Sequence, residues 1–134
     1  MILLDTHTLV WWIAGDRALG HGARERIEAE QGKGAHGEIL VSAISAWEVA
    51  MLARSGRLAL TMSAGAWLDT VAHIPAVRFL PVDARIAAAS AELPGDFHKD
   101  PADRIIVATA RAHRAALATA DTKIQTYPHV ETVW

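Results

Sequence analysis

The chain alternates short apolar runs with longer segments in which apolar residues recur at helical spacing. Short apolar runs are typical of strands that are buried on both faces of a parallel sheet. Such runs lie at residues 2–4, 39–41, 77–82 and 115–118, with a last predicted strand at 130–134. Helices are predicted after Asp5, at 23–31, from Ser42 or Ser45 to about Arg54, at 63–72, at 84–93 and from Pro101 onward. This alternation predicts an α/β fold in a single domain over residues 1–134, with a central, mainly parallel sheet flanked by helices.

The last long predicted helix carries an acid in an unusual place. Asp100 precedes a proline, which predicts an N-cap followed by proline at the first helical position, and so a local role for Asp100. Asp103 lies three, four and seven residues before Ile106, Val107 and Ala110, on the face that should be buried. A buried carboxylate is costly unless a partner takes its charge. Asp103 is therefore either a helix-capping acid or a functional one.

Two further acids follow predicted strands. Asp5 comes directly after the run 2–4, and Asp121 ends the run 115–118 after a short polar step. Ligands of open α/β sheets bind at the carboxyl ends of the strands, which is where both acids fall. The alternative for Asp5 is an N-cap of the following helix. His7 is expected to be partly buried at the start of that helix, with a ligand role as the less favoured alternative.

Glu48 is the fourth unusual acid, because it is the only charged residue between Ile39 and Ala53. An unpaired glutamate in so long an uncharged stretch is unusual. The alternative interpretation places Glu48 on the solvent face or in an ion pair with Arg54 or Arg57.

The composition narrows the class of protein. Of the 134 residues, 51% are hydrophobic and 21% charged, as in globular proteins. The absence of cysteine excludes disulfides, zinc–thiolate sites and a cysteine nucleophile, and is typical of a reducing cytoplasm. No apolar run approaches the ~20 residues of a membrane span, and no signal peptide is indicated. The formal charge of −2 neither supports nor excludes a phosphate ligand.

The four acids together indicate a metal site. Right-handed crossovers place the strand ends at one edge of the sheet, so these acids are expected to converge. Like charges in one cleft repel and raise one another's pKa unless a cation holds them. Oxygen ligands without cysteine favour Mg²⁺ or Mn²⁺ over zinc, and such a site serves phosphoryl chemistry.

Four stretches of the chain resemble, in order and spacing, the motifs of PIN-domain proteins, and most closely those of the VapC-type toxin ribonucleases of type II toxin–antitoxin systems. These stretches are Asp5-Thr6-His7-Thr8-Leu9, Ser42 to Glu48, Asp100 to Ala110 and Thr119-Ala120-Asp121. The resemblance covers essentially the whole chain. One departure is His7, since many members have asparagine at that position, and this leaves the outer shell of the metal undefined.

The resemblance implies a fold, an activity and partners. The fold would be PIN-like, with three layers, and the activity would be Mg²⁺- or Mn²⁺-dependent hydrolysis of RNA phosphodiester bonds. The implied partners are RNA, a VapB-type antitoxin and a second copy of the chain, in the cytoplasm and without a membrane. The acids Asp5, Glu48 and Asp103 would hold the principal ion, and Asp121 would help to hold a second ion or orient water. By the same resemblance, Thr119 is a small polar residue beside these catalytic and metal-binding acids.

Two other functions compete with a metal-dependent ribonuclease. Aspartate-nucleophile phosphohydrolases also begin with a strand that ends in aspartate, but they need a second acid where His7 stands. A non-catalytic PIN-like module that binds RNA or protein is the second alternative; degenerate modules usually lose acids, and this chain keeps all four.

Contacts to substrate would come from basic residues near the acids, unless these are ordinary solvated charges. The candidates are Lys99, Arg104, Arg111 and Lys123.

Overall fold

A computed structural model describes all residues, 1–134, and contains five strands and seven α-helices. The strands are β1 (Ile2–Leu4), β2 (Ile39–Ser42), β3 (Val77–Leu80), β4 (Ala116–Ala118) and β5 (Thr132–Val133). The helices are α1 (Thr6–Ala14), α2 (His21–Gln31), α3 (Ala43–Arg54), α4 (Ala64–Ala72), α5 (Ala84–Ala91), α6 (Pro101–His113) and α7 (Thr122–Gln125). A 3₁₀ turn lies at Gly34–His36. None of the helices is both long and apolar enough to cross a bilayer.

The five strands form one sheet in which every pair of neighbours is parallel, so the predicted α/β fold is confirmed. Their order is β3-β2-β1-β4-β5. The chain therefore builds outward from β1 to one edge and then returns to build the other half beside β1. The position between β1 and β4 is the topological switch point, where open α/β sheets leave a crevice at the carboxyl ends of the strands. Leu4 pairs with Ala118, so these two strands end at the same level.

Alternate residues of the central strands pack against helices on opposite faces, which gives the predicted three layers. On one face Leu3, Leu40 and Leu117 form a core with α6, through Ile106 and Val107. On the other face the neighbouring strand residues form a second core with α1, α2 and α4; its members include Ile2, Leu4, Ile39, Val41, Leu9, Ile27 and Val71. Both faces of the sheet are thus covered, as the uncharged sequences of β1, β2 and β4 require.

The helix boundaries agree with the sequence to within one residue except at the start of α2 and at the end of α5, which stops at Ala91 instead of residue 93, and α7 is a short helix that the sequence pattern did not predict. The third, fourth and fifth strands are shorter than predicted, and α2 begins at His21 instead of residue 23. Trp134 packs directly against the backbone at Gly20 and Gly22, at the start of α2. A Cβ at Gly20 would lie 2.7 Å from the Trp134 carbonyl carbon, which leaves room for glycine alone.

Candidate active site

An acidic cleft of about 470 Å³ opens at the carboxyl edge of the sheet, beside the switch point between β1 and β4. Its lining residues are Asp5, Thr6, His7, Trp11, Glu48, Asp100, Asp103, Ala120 and Asp121. The structure thus brings together all four of the acids that were expected to converge. It adds a fifth acid, Asp100, whose role had been predicted to be local.

Asp5 ends β1 and is held by two donors on its two carboxylate oxygens. Oδ1 accepts a hydrogen bond from the backbone N–H of Thr6 at 2.8 Å, so Asp5 is the N-cap of α1. Oδ2 accepts from the Thr119 hydroxyl at 2.7 Å. The Thr119 oxygen in turn accepts from the backbone N–H of Asp121 at 3.0 Å. Asp5 is therefore both a helix cap and a cleft residue, and Thr119 joins it to Asp121.

Glu48 projects from α3 into the cleft and is held by a hydroxyl instead of a cation. The Thr6 hydroxyl donates to Glu48 Oε1 at 2.6 Å and lies 2.9 Å from the Ser45 hydroxyl. The alternative ion pair with Arg54 or Arg57 is wrong. Thr6 was not recognised in the sequence, although its place directly after Asp5 lets its backbone and side chain hold two different acids.

Asp100 and Asp103 lie one turn apart at the start of α6. Asp100 is the predicted N-cap and accepts from the backbone N–H of Asp103 at 3.1 Å. The predicted capping role is therefore confirmed, and Asp100 in addition lines the cleft. Asp103 stands at the head of the buried face of α6, with 20% of its side chain exposed. The start of α6 thus provides both its own N-cap and two acids of the cleft.

Crowding of the acids changes their protonation. Burial, together with the charges of Asp100, Asp5, Asp121 and Glu48, raises the pKa of Asp103 to about 7. Burial also raises the pKa of Glu48, although the Thr6 hydroxyl opposes this rise. The pKa of Asp5 is raised by burial as well, against the lowering effect of its bond from Thr119. The cleft therefore holds more negative charge than its surroundings stabilise.

Two histidines flank the acids. His7 lines the cleft and is exposed, so the expectation that it is partly buried is wrong. His98 is half-buried, and its Nε2 lies 3.1 Å from Asp103 Oδ2 without the alignment of a hydrogen bond. Nothing in the hydrophobic pattern marks His98, because its approach to Asp103 depends on the path of the loop before α6.

Two arginines that were candidates for contacting substrate are used inside the protein. The Arg104 guanidinium donates to the backbone carbonyls of Ser90, Ala91, Phe97 and His98. Arg111 donates to the His129 carbonyl at 2.6 Å. These bonds fix Arg104 to the end of α5 and the loop before α6, and fix Arg111 to the loop before β5. Lys99 and Lys123, by contrast, are exposed beside the acids.

The donor set of the cleft fits a hard divalent cation. It offers carboxylate oxygens and no thiolate, which is the ligand set that Mg²⁺ and Mn²⁺ accept. A bound cation would offset the burial and the repulsion that raise the pKa values of Asp5, Glu48 and Asp103. His98, Asp103 and Asp121 each offer a ligand atom, and these atoms lie within 4.8 Å of one another.

Comparisons with known proteins agree with this architecture. The model of the PIN domain family matches residues 2–130. Ribonuclease VapC22 of Mycobacterium tuberculosis (strain ATCC 25618 / H37Rv) is 37% identical over 136 residues, which covers 99% of this chain and 98% of the relative. A toxin–antitoxin complex from Klebsiella pneumoniae superposes with a TM-score of 0.66 at 23% identity, over 97% of this chain and 95% of the solved one. VapBC2 from Rickettsia felis, bound to a promoter DNA fragment, superposes with a TM-score of 0.68 at 19% identity, over 98% and 97%.

Proposed function

Because the chain belongs to the PIN domain family, we propose that it is a Mg²⁺- or Mn²⁺-dependent endoribonuclease that hydrolyses RNA phosphodiester bonds. The observation that carries this proposal is the cleft in which five carboxylates crowd together at the switch point of the sheet. A relative that is 37% identical over nearly its whole length is named a ribonuclease, which supports RNA as the substrate.

We assign the acids by their positions in the cleft. Asp5, Glu48 and Asp103 would hold the principal ion, and Asp121 would hold a second ion or orient water. When bound, the ion would neutralise charge on the phosphodiester and make a water a better nucleophile at neutral pH. No covalent intermediate with the protein is needed.

The chain's own contribution is to hold the carboxylates in place before substrate arrives. Thr6 binds Asp5 through its backbone and Glu48 through its hydroxyl, while Thr119 binds Asp5 and receives the N–H of Asp121. Such fixed hydrogen bonds orient ligands and limit reorganisation during the reaction. Lys99 and Lys123 are the exposed cations nearest the acids along the chain and would contact RNA phosphates.

We further propose that the chain is the toxin of a VapBC-type pair, that it forms a homodimer and that a VapB-type antitoxin restrains it in the cytoplasm. Structural relatives include toxin–antitoxin complexes. An apolar groove of about 430 Å³, which is lined in part by Ile44, Trp47, Pro101 and Ala102, adjoins Glu48 and Asp100. Trp47 is 58% and Met51 46% exposed, so α3 offers a protein partner a large apolar surface next to the cleft.

Cleavage of RNA by purified protein tests the enzymatic part. We expect cleavage with Mn²⁺ or Mg²⁺, none with excess chelator, and a loss of orders of magnitude in Asp5→Asn and Asp121→Asn. Asp69→Asn is the matched control, because Asp69 is an exposed acid on α4 away from the cleft. Metal-independent RNA binding without cleavage in any of these proteins would instead support the non-catalytic binding module.

Suppression by a partner tests the toxin part. The protein encoded beside this chain should form a complex with it and suppress RNA cleavage. Trp47→Ala should weaken that complex and leave RNA cleavage by the free protein intact. Met62→Ala is the control, because it removes an exposed apolar side chain outside α3, and it should change neither the complex nor the cleavage. Light scattering should give the mass of a dimer at micromolar concentration. A neighbouring protein that neither binds nor inhibits would contradict the toxin assignment and leave the nuclease assignment standing.

A further inference from the structure

His98 has a ring nitrogen whose hydrogen-bonding capacity is unused. Its Nε2 is shielded from solvent and has no hydrogen-bond partner in the protein. The nearest anionic atom is Oδ2 of Asp103 at 3.1 Å, but the two groups are not aligned as donor and acceptor. A shielded polar nitrogen without a partner costs free energy, so its orientation toward an acid of the cleft calls for another kind of partner.

The ligand atoms of His98 and two neighbouring acids lie close enough together to face one cation. His98, Asp103 and Asp121 each offer one ligand atom, and all three atoms lie within 4.8 Å of one another. Two ligands that are each about 2.1 Å from an octahedral ion lie about 3.0 Å apart when adjacent and about 4.2 Å apart when opposite. The 3.1 Å separation of His98 Nε2 and Asp103 Oδ2 therefore matches two adjacent ligands of one ion.

The loop that carries His98 is fixed relative to Asp103. Arg104, the residue after Asp103, donates through Nη1 to the carbonyls of Phe97 at 3.0 Å and His98 at 3.2 Å. The Phe97 ring packs against the imidazole with a centroid distance of 4.4 Å. These contacts account for the arginine's position and keep the ring facing the acid. Outer contacts of this kind are what orient a metal-binding histidine.

We propose that His98 is a nitrogen ligand which, with Asp103 and Asp121, holds a divalent ion and makes Mn²⁺ preferred over Mg²⁺. This inference rests on the proposed nuclease function and deepens it by naming the ion. Mg²⁺ keeps oxygen ligands almost exclusively, whereas first-row transition ions accept imidazole nitrogen. The mixed nitrogen and oxygen donors at this corner of the cleft therefore favour the transition ion.

Pulsed electron paramagnetic resonance of the Mn²⁺-loaded protein tests the ligand directly. We expect the ¹⁴N coupling of a coordinated imidazole in the wild type, replaced by a ¹⁵N coupling when the protein is labelled with ¹⁵N-histidine. His98→Gln should lose the coupling. His7→Gln should keep it, and is the matched control because His7 is the other histidine beside the acids.

Metal titrations add a second measurement without activity. His98→Gln should lower the affinity for Mn²⁺ about tenfold or more, because removal of a residue that merely orients a metal ligand already has an effect of that size. The affinity for Mg²⁺ should change little. A purely structural role of His98 would weaken both ions equally.

Three results would overturn the inference, and they separate it from the proposed function. Mn²⁺-bound wild type without nitrogen coupling would remove His98 from the site, as would a coupling that persists in His98→Gln and disappears in His7→Gln. If RNA cleavage still requires Mn²⁺ and the four acids, only this inference fails. If the wild type binds no Mn²⁺ and cleaves no RNA, the inference and the proposed function fail together.

Discussion

Replacement of Asp103 by asparagine should stabilise the metal-free protein at alkaline pH, although it removes a proposed metal ligand. Burial and neighbouring charges raise the pKa of Asp103 to about 7 from 3.8. A group with a raised folded-state pKa binds its proton more tightly in the folded state. Stability therefore falls as pH rises from about 4 to about 7 and stays lower above that range. Asparagine has no proton to lose and is spared this decline.

The expected size follows from the two pKa values and the exposure of the side chain. A pKa difference of about 3 corresponds to about 4 kcal/mol as an upper limit. Asp103 is 20% exposed, and solvent screening reduces the value to about 1–2 kcal/mol. The acid also gains about 0.3–1 kcal/mol from the positive end of α6, which asparagine forgoes. Repulsion and burial exceed that gain, so Asp103→Asn should raise Tm by about 2–6 °C at pH 8.

Thermal unfolding in chelator from pH 4 to pH 8 measures this difference. The two proteins should unfold at similar temperatures near pH 4 and diverge as pH rises. Mn²⁺ should then reverse their order at pH 8, because it stabilises the wild type by mass action and the variant much less. Asp100→Asn is an informative companion, since Asp100 keeps its capping bond as asparagine while its charge no longer raises the pKa of Asp103. An Asp103→Asn protein that is less stable than wild type at pH 8 in chelator would refute the reasoning.

Three further predictions concern other parts of the chain. Asp5→Asn should have a metal-free Tm equal to or above that of the wild type and a weakened response to Mn²⁺ in thermal unfolding, because burial raises the pKa of Asp5; an unchanged response would remove Asp5 from the site. Thr6→Val should cost about 1–3 kcal/mol in urea unfolding, since Glu48 loses its buried donor. Glu30 accepts from Lys33 and has a pKa lowered to about 2, so its stabilising contribution should vanish as pH falls from about 4.5 to about 2. Glu30→Gln should lack that part of the acid dependence of unfolding.

The central strands of the sheet were predictable because each appears in the sequence as a short, continuous apolar run. Runs such as residues 2–4 and 39–41 are apolar without alternation, which is typical of strands covered on both faces. The edge strands carry weaker signals, and β5 is shorter than predicted because only Thr132 and Val133 pair with β4. Pairing at an edge depends on one neighbour, so the sequence of the strand itself does not define its ends.

The cleft was predictable as far as it depends on strand ends. Asp5 follows β1 directly and Asp121 lies three residues after the end of β4, and the parallel pairing of these strands fixes both acids at one edge. The loop before α6 is different, because its course depends on the bonds from Arg104 to a carbonyl at the end of α5 and to another within the loop itself. Those bonds bring His98 to Asp103, and no local pattern in the sequence encodes them.

Helix capping and a place in the acidic cleft are not alternatives in this fold, because its topology makes them coincide. Helices that follow or precede parallel strands begin at the carboxyl edge of the sheet, so their N-caps lie where ligands bind. Asp5, Asp100 and Asp121 are the N-caps of α1, α6 and α7. At Asp100 and Asp121 the capping bond occupies Oδ1 and leaves Oδ2 available for a cation. The positive helix ends partly offset the repulsion among the acids, which allows the cleft to form before an ion arrives.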